Sequence, residues 1–321
     1  MAQRVLVTGG AGFIGSHVAE LFLANDYDVT VLDNLSSGKR SQVPDGAAFH
    51  ELDVASADAA GVVREGRFDA ICHLAAQIDV RKSVADPCFD AQVNVVGTLN
   101  LLEAVRASSF ATRFIFASTG GAVYGDLAAP PTSESDPKDP QSPYGTAKLS
   151  VEYYMGYYAR VHGIQTMALR YTNVYGPRQD PHGEAGVVAI FCDRLINQAP
   201  LTIFGDGLQT RDYVYVGDVA RANLLAARAE LPAAAGVDSR AFNIGTGIET
   251  TVVELARVLR EVSNSTSEVQ HAPPRAGEQR RSAVRIDKAA EVLGWCPVVS
   301  LERGLRATFD WFAARRAEAN T

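Results

Sequence analysis

Short apolar runs alternate with longer amphipathic stretches through the first half of the chain. Residues 5–8, 29–33, 48–52, 70–74, 114–118 and 166–170 read as β-strands, several of them apolar throughout. Between them, recurring apolar spacing over 14–25, 93–107 and 144–162 reads as helix. Strand and helix in regular succession require right-handed crossovers and therefore a parallel sheet. Strands with no polar face need helices on both sides of that sheet. The predicted fold class is α/β, with a doubly wound parallel sheet.

Beyond residue 170 the pattern loosens. Residues 177–186, rich in Pro, Gly and charge, read as an irregular loop; a helix over 187–197, a strand over 201–204 and a turn around 205–207 follow. Residues 241–245 read as a strand able to rejoin the sheet, and the tail from 251 reads as two helices with a linking stretch, 271–286. The expected layout is therefore discontinuous. Segments 1–174 and 212–245 form the sheet domain, and 175–211 with 246–321 form a smaller, mixed α/β C-terminal substrate domain. The Ala-rich patch 231–236 reads as a surface loop.

Composition narrows the function classes. The 321 residues are 47% hydrophobic and 21% charged, with a formal net charge of −7. That balance buries a full core and offers no basic face for nucleic acid. No apolar stretch is long enough to span a membrane, and the first strand begins too early for a cleavable leader, so the expected compartment is the cytoplasm. Cys72, Cys88, Cys192 and Cys296 lack zinc-motif spacing and read as reduced, buried thiols, with no metal expected.

The first strand runs into Gly9-Gly10-Ala11-Gly12-Phe13-Ile14-Gly15 and then a helix. Glycines at 10, 12 and 15, or at 9, 12 and 15, allow a tight turn and close approach of a pyrophosphate to a helix N-terminus. Asp33 ends the next strand, where a carboxylate suits a ribose diol and repels a 2′-phosphate; Asn34 follows it, so NAD is favoured over NADP. A Rossmann-type site is the reading. Lys39 and Arg40 read as solvated charges, while Asp53-Val54 reads equally as an adenine contact or a surface cap.

Tyr144 and Lys148 stand four apart at a helix start, after Pro140-Gln141-Ser142-Pro143. A strand upstream ends in Ser118-Thr119-Gly120-Gly121, at the carboxyl edge where open α/β sheets bind ligands. Tyrosine, lysine and a hydroxyl beside a dinucleotide make a hydride-transfer site. Lys148 and a nicotinamide cation are expected to favour the Tyr144 phenolate, which takes a proton from a sugar hydroxyl. Thr119 or Ser118 orients the same oxygen.

The motifs Thr8 to His17, Leu32-Asp33-Asn34-Leu35, His73-Leu74-Ala75-Ala76, Val93 to Thr98, Ser142-Pro143-Tyr144 and Arg211-Asp212-Tyr213 resemble extended short-chain dehydrogenases that act on nucleotide sugars. The nearest resemblance is to the UDP-glucose (UDP-galactose) 4-epimerases of bacteria and archaea, over nearly the whole chain. It implies transient oxidation at C4 by a tightly bound NAD that is regenerated each cycle, through a 4-keto sugar. It implies Tyr144 as base, Lys148 as the residue that positions NAD, and Thr119 as the active-site hydroxyl. Around the cofactor it implies Ser37, Gly38, Leu74, Ala75, Ala76, Gln77, Asn94 and Thr172. Around the UDP-sugar it implies Asn173 and Arg211 with Arg275 at the diphosphate, Val188 and Thr202-Ile203-Phe204 near the base, and Glu278 at the ribose. It also implies a homodimer through helices near 90–107 and 144–162. The apolar residues Val151, Tyr154, Met155 and Tyr158 serve either that interface or the core.

Two departures qualify the resemblance. The loop after the strand is one residue longer than the common epimerase form, which leaves Ser118 as an alternative to Thr119. Ser282 falls where strict glucose/galactose epimerases carry a bulky Tyr, so an opened pocket for N-acetylated sugars is expected. The rivals are a nucleotide-sugar dehydratase or decarboxylase, which carry a carboxylate after the strand where this chain has Gly120-Gly121, and a UDP-glucuronate 4-epimerase. In the last, Arg178 or His182 meets a carboxylate; otherwise Arg178 is a loop charge paired with Asp180 or Glu184. A non-catalytic, NAD-sensing regulator is the reading from another class.

Overall fold

The computed structural model describes residues 2–126, 129–182, 186–274 and 279–319. Six strands follow one another through the first half: β1 (Arg4–Thr8), β2 (Asp28–Asp33), β3 (Ala48–Glu51), β4 (Ala70–His73), β5 (Arg113–Thr119) and β6 (Gln165–Tyr171). Each lies within two residues of its expected position. The strand Ala241–Ile244 rejoins the sheet by pairing parallel with β6. The order is Ala241–Ile244, β6, β5, β4, β1, β2, β3, and every pairing is parallel. Chain direction through the sheet reverses between β1 and β4, which opens a crevice at their carboxyl ends.

Strand alternation feeds two cores. Val5 and Val7 point to a cluster with Phe22, Val219 and Leu224; Leu6 points to one with Phe68, Leu102 and Val151. A third cluster, apart from the sheet, gathers Tyr175, Val188, Phe191, Ile203, Leu255 and Leu305. Among the described residues, no helix is long and apolar enough to cross a membrane.

Several elements differ from expectation. The tail carries three helices rather than two: Val252–Ser263, Asp287–Leu293 and Leu301–Ala319. The stretch expected to link the helices, 271–286, begins inside a strand, Val269–Ala272, paired parallel with Leu201–Phe204. The Ala-rich helix Val216–Arg228 packs on helix α1 (Phe13–Leu23) against one face of the sheet. Ala289, Leu293 and Trp295 bury against that sheet-side cluster rather than in the third core. Residues 92–96 form a π turn that leads into the helix Gly97–Ala107. Only two of the four thiols are buried, Cys72 and Cys192; Cys88 and Cys296 are exposed.

Candidate active site

Backbone crowding dictates the glycines of the first loop. Gly9 sits at φ +70°, and a side-chain carbon there would lie 2.6 Å from the Ala75 nitrogen. One on Gly15 would overlap the Gly9 carbonyl oxygen. Helix α1 starts at Gly12 with no side-chain cap and no acidic residue in its first turn, so its N–H groups and dipole end stay available to an anion. Asp33 ties this loop to β2. Its Oδ2 accepts from the Ala11 amide at 3.0 Å and its Oδ1 from the Leu35 amide at 2.9 Å, leaving a lone pair on each oxygen for a diol. Asp53 acts as a cap at the cleft edge. It borders the cleft, and it accepts from the Ala55 amide at 2.8 Å and from Asn34 Nδ2 at 2.9 Å. Arg40 lies over the Phe49 ring at 4.5 Å.

From this loop a cleft runs to Tyr144 and Lys148. Gly9, Gly12, Phe13, Ile14, Gly15, Asp33, Asn34 and Ser37 form one end, and Asp53, Val54, Leu74, Ala75 and Ala76 form its side. Ser36, Leu52, Ile78, Val93, Ala117 and Tyr171 also line it and were not read from the sequence. Ala117 and Tyr171 lie at carboxyl ends of β5 and β6, a position that marks them once the sheet order is known. Gly38, Gln77, Asn94 and Thr172 do not line the cleft. Gly38 packs on Ala11, and Thr172 donates its amide to the Ile244 carbonyl at 3.0 Å. The Asn94 amide clamps Gln77: Nδ2 donates to the Gln77 carbonyl at 2.9 Å, and Oδ1 accepts from the Gln77 amide at 3.0 Å. These residues hold the wall rather than form it.

Tyr144 and Lys148 are fixed by a well-capped helix, Pro143–His162. Ser142 Oγ accepts from the Gly145 amide at 3.1 Å, Pro143 opens the first turn, and Gly163 ends the helix at φ +69°. Lys148 is 3% exposed, and its Nζ donates to the Ala117 carbonyl at 2.9 Å and lies 5.8 Å from the Tyr144 ring centroid. Burial lowers Lys148 to about 8, against the opposing pull of Asp90 and Glu152. Burial pushes the Tyr144 phenol up, and Asp90 adds to the rise. Desolvation dominates at Tyr144, so the expected phenolate depends on the nicotinamide cation as well as on Lys148.

A buried chain of hydroxyls and imidazole supports the floor. The Thr98 hydroxyl donates to the Asn94 carbonyl at 2.7 Å, so it accepts from His73 Nε2 at 2.9 Å; Nδ1 then accepts from the Thr8 hydroxyl at 2.7 Å. Burial, then Lys148, lowers His73 from 6.5 to about 3. The native state therefore refuses a proton that the unfolded chain accepts, and stability falls with acidity between those two pH values. The expected slope from this group is about 1.4 kcal/mol per pH unit. Urea unfolding of His73→Gln across that window should show a slope shallower by that amount; an equal slope would exclude His73 as the group.

At the end of β5 the two candidate hydroxyls separate. Ser118 lines the cleft, but its Oγ donates to Glu152 Oε1 at 2.5 Å. Glu152 pairs with fully buried Arg170 at 2.5 Å. Thr119 is half-buried, and its hydroxyl has no hydrogen bond among the described residues. The neighbouring Gly120 packs under Val284, which places the Ser282–Val284 stretch beside this loop; Ser282 is buried there.

The residues implied for the UDP-sugar are spread more widely. Asn173 is exposed at the start of a short strand, and Thr202 and Phe204 are half-buried. Val188 and Ile203 belong to the third core, so both serve packing. Arg211 donates to the Thr210 carbonyl at 2.7 Å and the Gln279 carbonyl at 2.8 Å. Arg275 and Glu278, like Glu184, lie outside the described residues. Arg178 turns away from the cleft, donating to Ser16 Oγ at 3.2 Å and pairing with Glu20 at 2.7 Å. Its partner is thus Glu20 on helix α1, not Asp180; the Asp180 carboxylate instead accepts from the His182 amide at 2.9 Å.

Known proteins resemble the chain along nearly its whole length. Residues 5–245 match the model of the NAD dependent epimerase/dehydratase family. The chain is 45% identical over 315 residues to a UDP-glucose 4-epimerase of Mycolicibacterium smegmatis, covering 97% of this chain and 98% of that one. A solved UDP-glucose 4-epimerase of Thermotoga maritima, with UDP-glucose, superposes with a TM-score of 0.92 at 46% identity, covering 98% of this chain and all of that one. A Thermus thermophilus UDP-glucose 4-epimerase in complex with NAD gives a TM-score of 0.88 at 44% identity, covering 97% and 99%. With the glycine loop, Asp33 and the Tyr144–Lys148 pair in one cleft, and with kinship along nearly its whole length, the chain belongs to the NAD dependent epimerase/dehydratase family.

Proposed function

We propose that the chain is an NAD-dependent UDP-glucose 4-epimerase that interconverts UDP-glucose and UDP-galactose. One observation carries the reading: Tyr144 and Lys148, on one helix, close the cleft that begins at the dinucleotide loop. The crowded glycines, the uncapped start of α1 and the Asp33 carboxylate fit the pyrophosphate and ribose of NAD. Bound NAD would supply the hydride acceptor for C4 and a positive charge that favours the phenolate. Tyr144 takes the C4 hydroxyl proton and later returns it to the 4-keto oxygen, with Lys148 as the adjacent cation. Thr119 holds that oxygen, because Ser118 is already committed to Glu152. The diphosphate falls to Asn173, Arg211 and Arg275, and the nucleoside to Thr202, Phe204 and Glu278.

Gly120-Gly121 supply no carboxylate for water loss, which argues against a dehydratase. Engagement of Arg178 by Glu20 argues against a uronate substrate. Incubating purified protein with UDP-galactose and no added cofactor should give UDP-glucose by chromatography. No product, even with added NAD, would overturn the reading in favour of the uronate and then the lyase substrates.

The small, buried Ser282 beside the Thr119 loop supports a sugar pocket roomy enough for an N-acetyl group. UDP-N-acetylglucosamine should therefore turn over within about tenfold of the simple hexose, and Ser282→Tyr should abolish that activity alone. Turnover of the hexose only would end this extension.

The same reading divides the chain at 1–174 with 212–245 and 175–211 with 246–321, and assigns it to the cytoplasm. It also assigns a homodimer. Val151, Met155 and Tyr158 are core, but Tyr153, Tyr154, Tyr157 and Val161 on the same helix are exposed, as are Phe89 and Val96 nearby in the chain fold. A helix face so rich in exposed tyrosine fits a second copy of the chain.

A further inference from the structure

Asp90 has no part in the chemistry above, yet its placement is costly. It lies in the short helix Pro87–Ala91 and is 1% exposed. Its Oδ1 accepts from Gln77 Nε2 at 2.9 Å and from Asn94 Nδ2 at 3.0 Å. Its buried Oδ2 has no hydrogen-bond partner among the described residues. A carboxylate held by two neutral amides, with one oxygen unpartnered, is destabilising unless a positive charge stands near.

The charges around it identify that partner. The helix Pro87–Ala91 packs on the helices Val80–Ala85 and Pro143–His162 and on the π turn at 92–96. Val80–Ala85 brings Arg81, which lies 3.9 Å from Asp79, and Lys82, whose ammonium lies over the Phe89 ring at 4.4 Å. The π turn brings no charge. Pro143–His162 brings Tyr144, Lys148 and Glu152, the last engaged by Arg170. Burial raises the Asp90 carboxyl, while Gln77, Lys148 and Asn94 pull it back. Among the described residues Lys148 hydrogen-bonds the Ala117 carbonyl and no carboxylate, and it is the cation whose attraction acts on the Asp90 carboxyl.

We propose that Asp90 is a positioning residue acting through Lys148 and Tyr144: a fixed, buried anion that balances the Lys148 ammonium and opposes a second negative charge on Tyr144. The inference rests on the acid–base roles proposed above. It explains why the wall residues Gln77 and Asn94 both turn an amide to Asp90. They hold the anion while fixing the backbone beside the cofactor cleft.

The test separates charge from packing. Asp90→Asn keeps an oxygen for both amide donors and removes the charge; Asp90→Ala removes both. The phenolate ultraviolet absorbance of NAD-loaded protein is titrated against pH, with Tyr144→Phe as the subtracted blank. In Asp90→Asn, Tyr144 should ionise roughly one pH unit lower than in the unsubstituted chain, and the rising limb of the pH–rate profile should move the same way. A purely packing role predicts an unmoved titration in Asp90→Asn and a defect only in Asp90→Ala. An unmoved or upward titration in Asp90→Asn overturns the proposal. Failure of the unsubstituted chain to turn over UDP-galactose would count against the epimerase reading alone, since the absorbance titration needs no substrate.

Discussion

Tyr144→Phe should lower kcat for UDP-galactose by about 10²- to 10⁴-fold and leave KM nearly unchanged. The ring stays, so the burial that Tyr144 shares with the helix start is preserved, and Lys148 keeps its bond to the Ala117 carbonyl. What disappears is the phenolic oxygen proposed to accept and return a proton at the sugar oxygen. The aliphatic hydroxyl of Thr119 is far less acidic than a phenol, so it cannot take over as the base. The companion Lys148→Met should also lose activity, but with weaker NAD retention, since it removes the cation within the same pocket. Chromatography of the UDP-sugars reads the first effect, and the NAD content of the purified variants reads the second. Full activity in Tyr144→Phe would exclude it as the acid–base group. Full biological activity of that variant would favour a regulator on the same fold.

Much of the sheet and the cofactor loop is legible in the sequence because each is fixed by local rules. Apolar runs bounded by turns become parallel strands wherever helices cover both faces, and only glycine fits where backbone meets backbone at Gly9 and Gly15. The partners that long-range packing selects are not legible. Nothing near Arg178 in the sequence points to Glu20, more than 150 residues away. Nothing in the His73 motif announces a bond to Thr98. Asn94 carries a cofactor motif, yet a π turn rotates its amide onto Gln77 and Asp90. The rise of the Tyr144 phenol is equally hidden, because desolvation depends on what covers the ring. The choice between Ser118 and Thr119 likewise turns on Glu152, a residue in the middle of a later helix.

That same Glu152 pairs with a charge buried in the fold. Arg170 is fully buried and donates to Glu152 through Nε and Nη2, to Asp238 at 2.8 Å, to the Tyr124 hydroxyl at 3.0 Å and to the Glu134 carbonyl at 3.2 Å. Arg170→Met fits the space but leaves Glu152, itself 2% exposed, as an unpaired buried charge. The expected loss of stability is about 3–5 kcal/mol, read from the midpoint of urea unfolding. Removing both charges, in Arg170→Met with Glu152→Met, should recover much of it, because the desolvation of Glu152 disappears with the carboxylate. The double variant should nevertheless remain impaired in catalysis. Ser118 loses the acceptor that holds its hydroxyl away from Thr119, and two hydroxyls then compete for the sugar oxygen. A single variant as stable as the unsubstituted chain would mean that Glu152 takes up a proton when Arg170 is absent, so that no buried charge is left unpaired. A double variant with full activity would free Ser118 of any role in selecting Thr119.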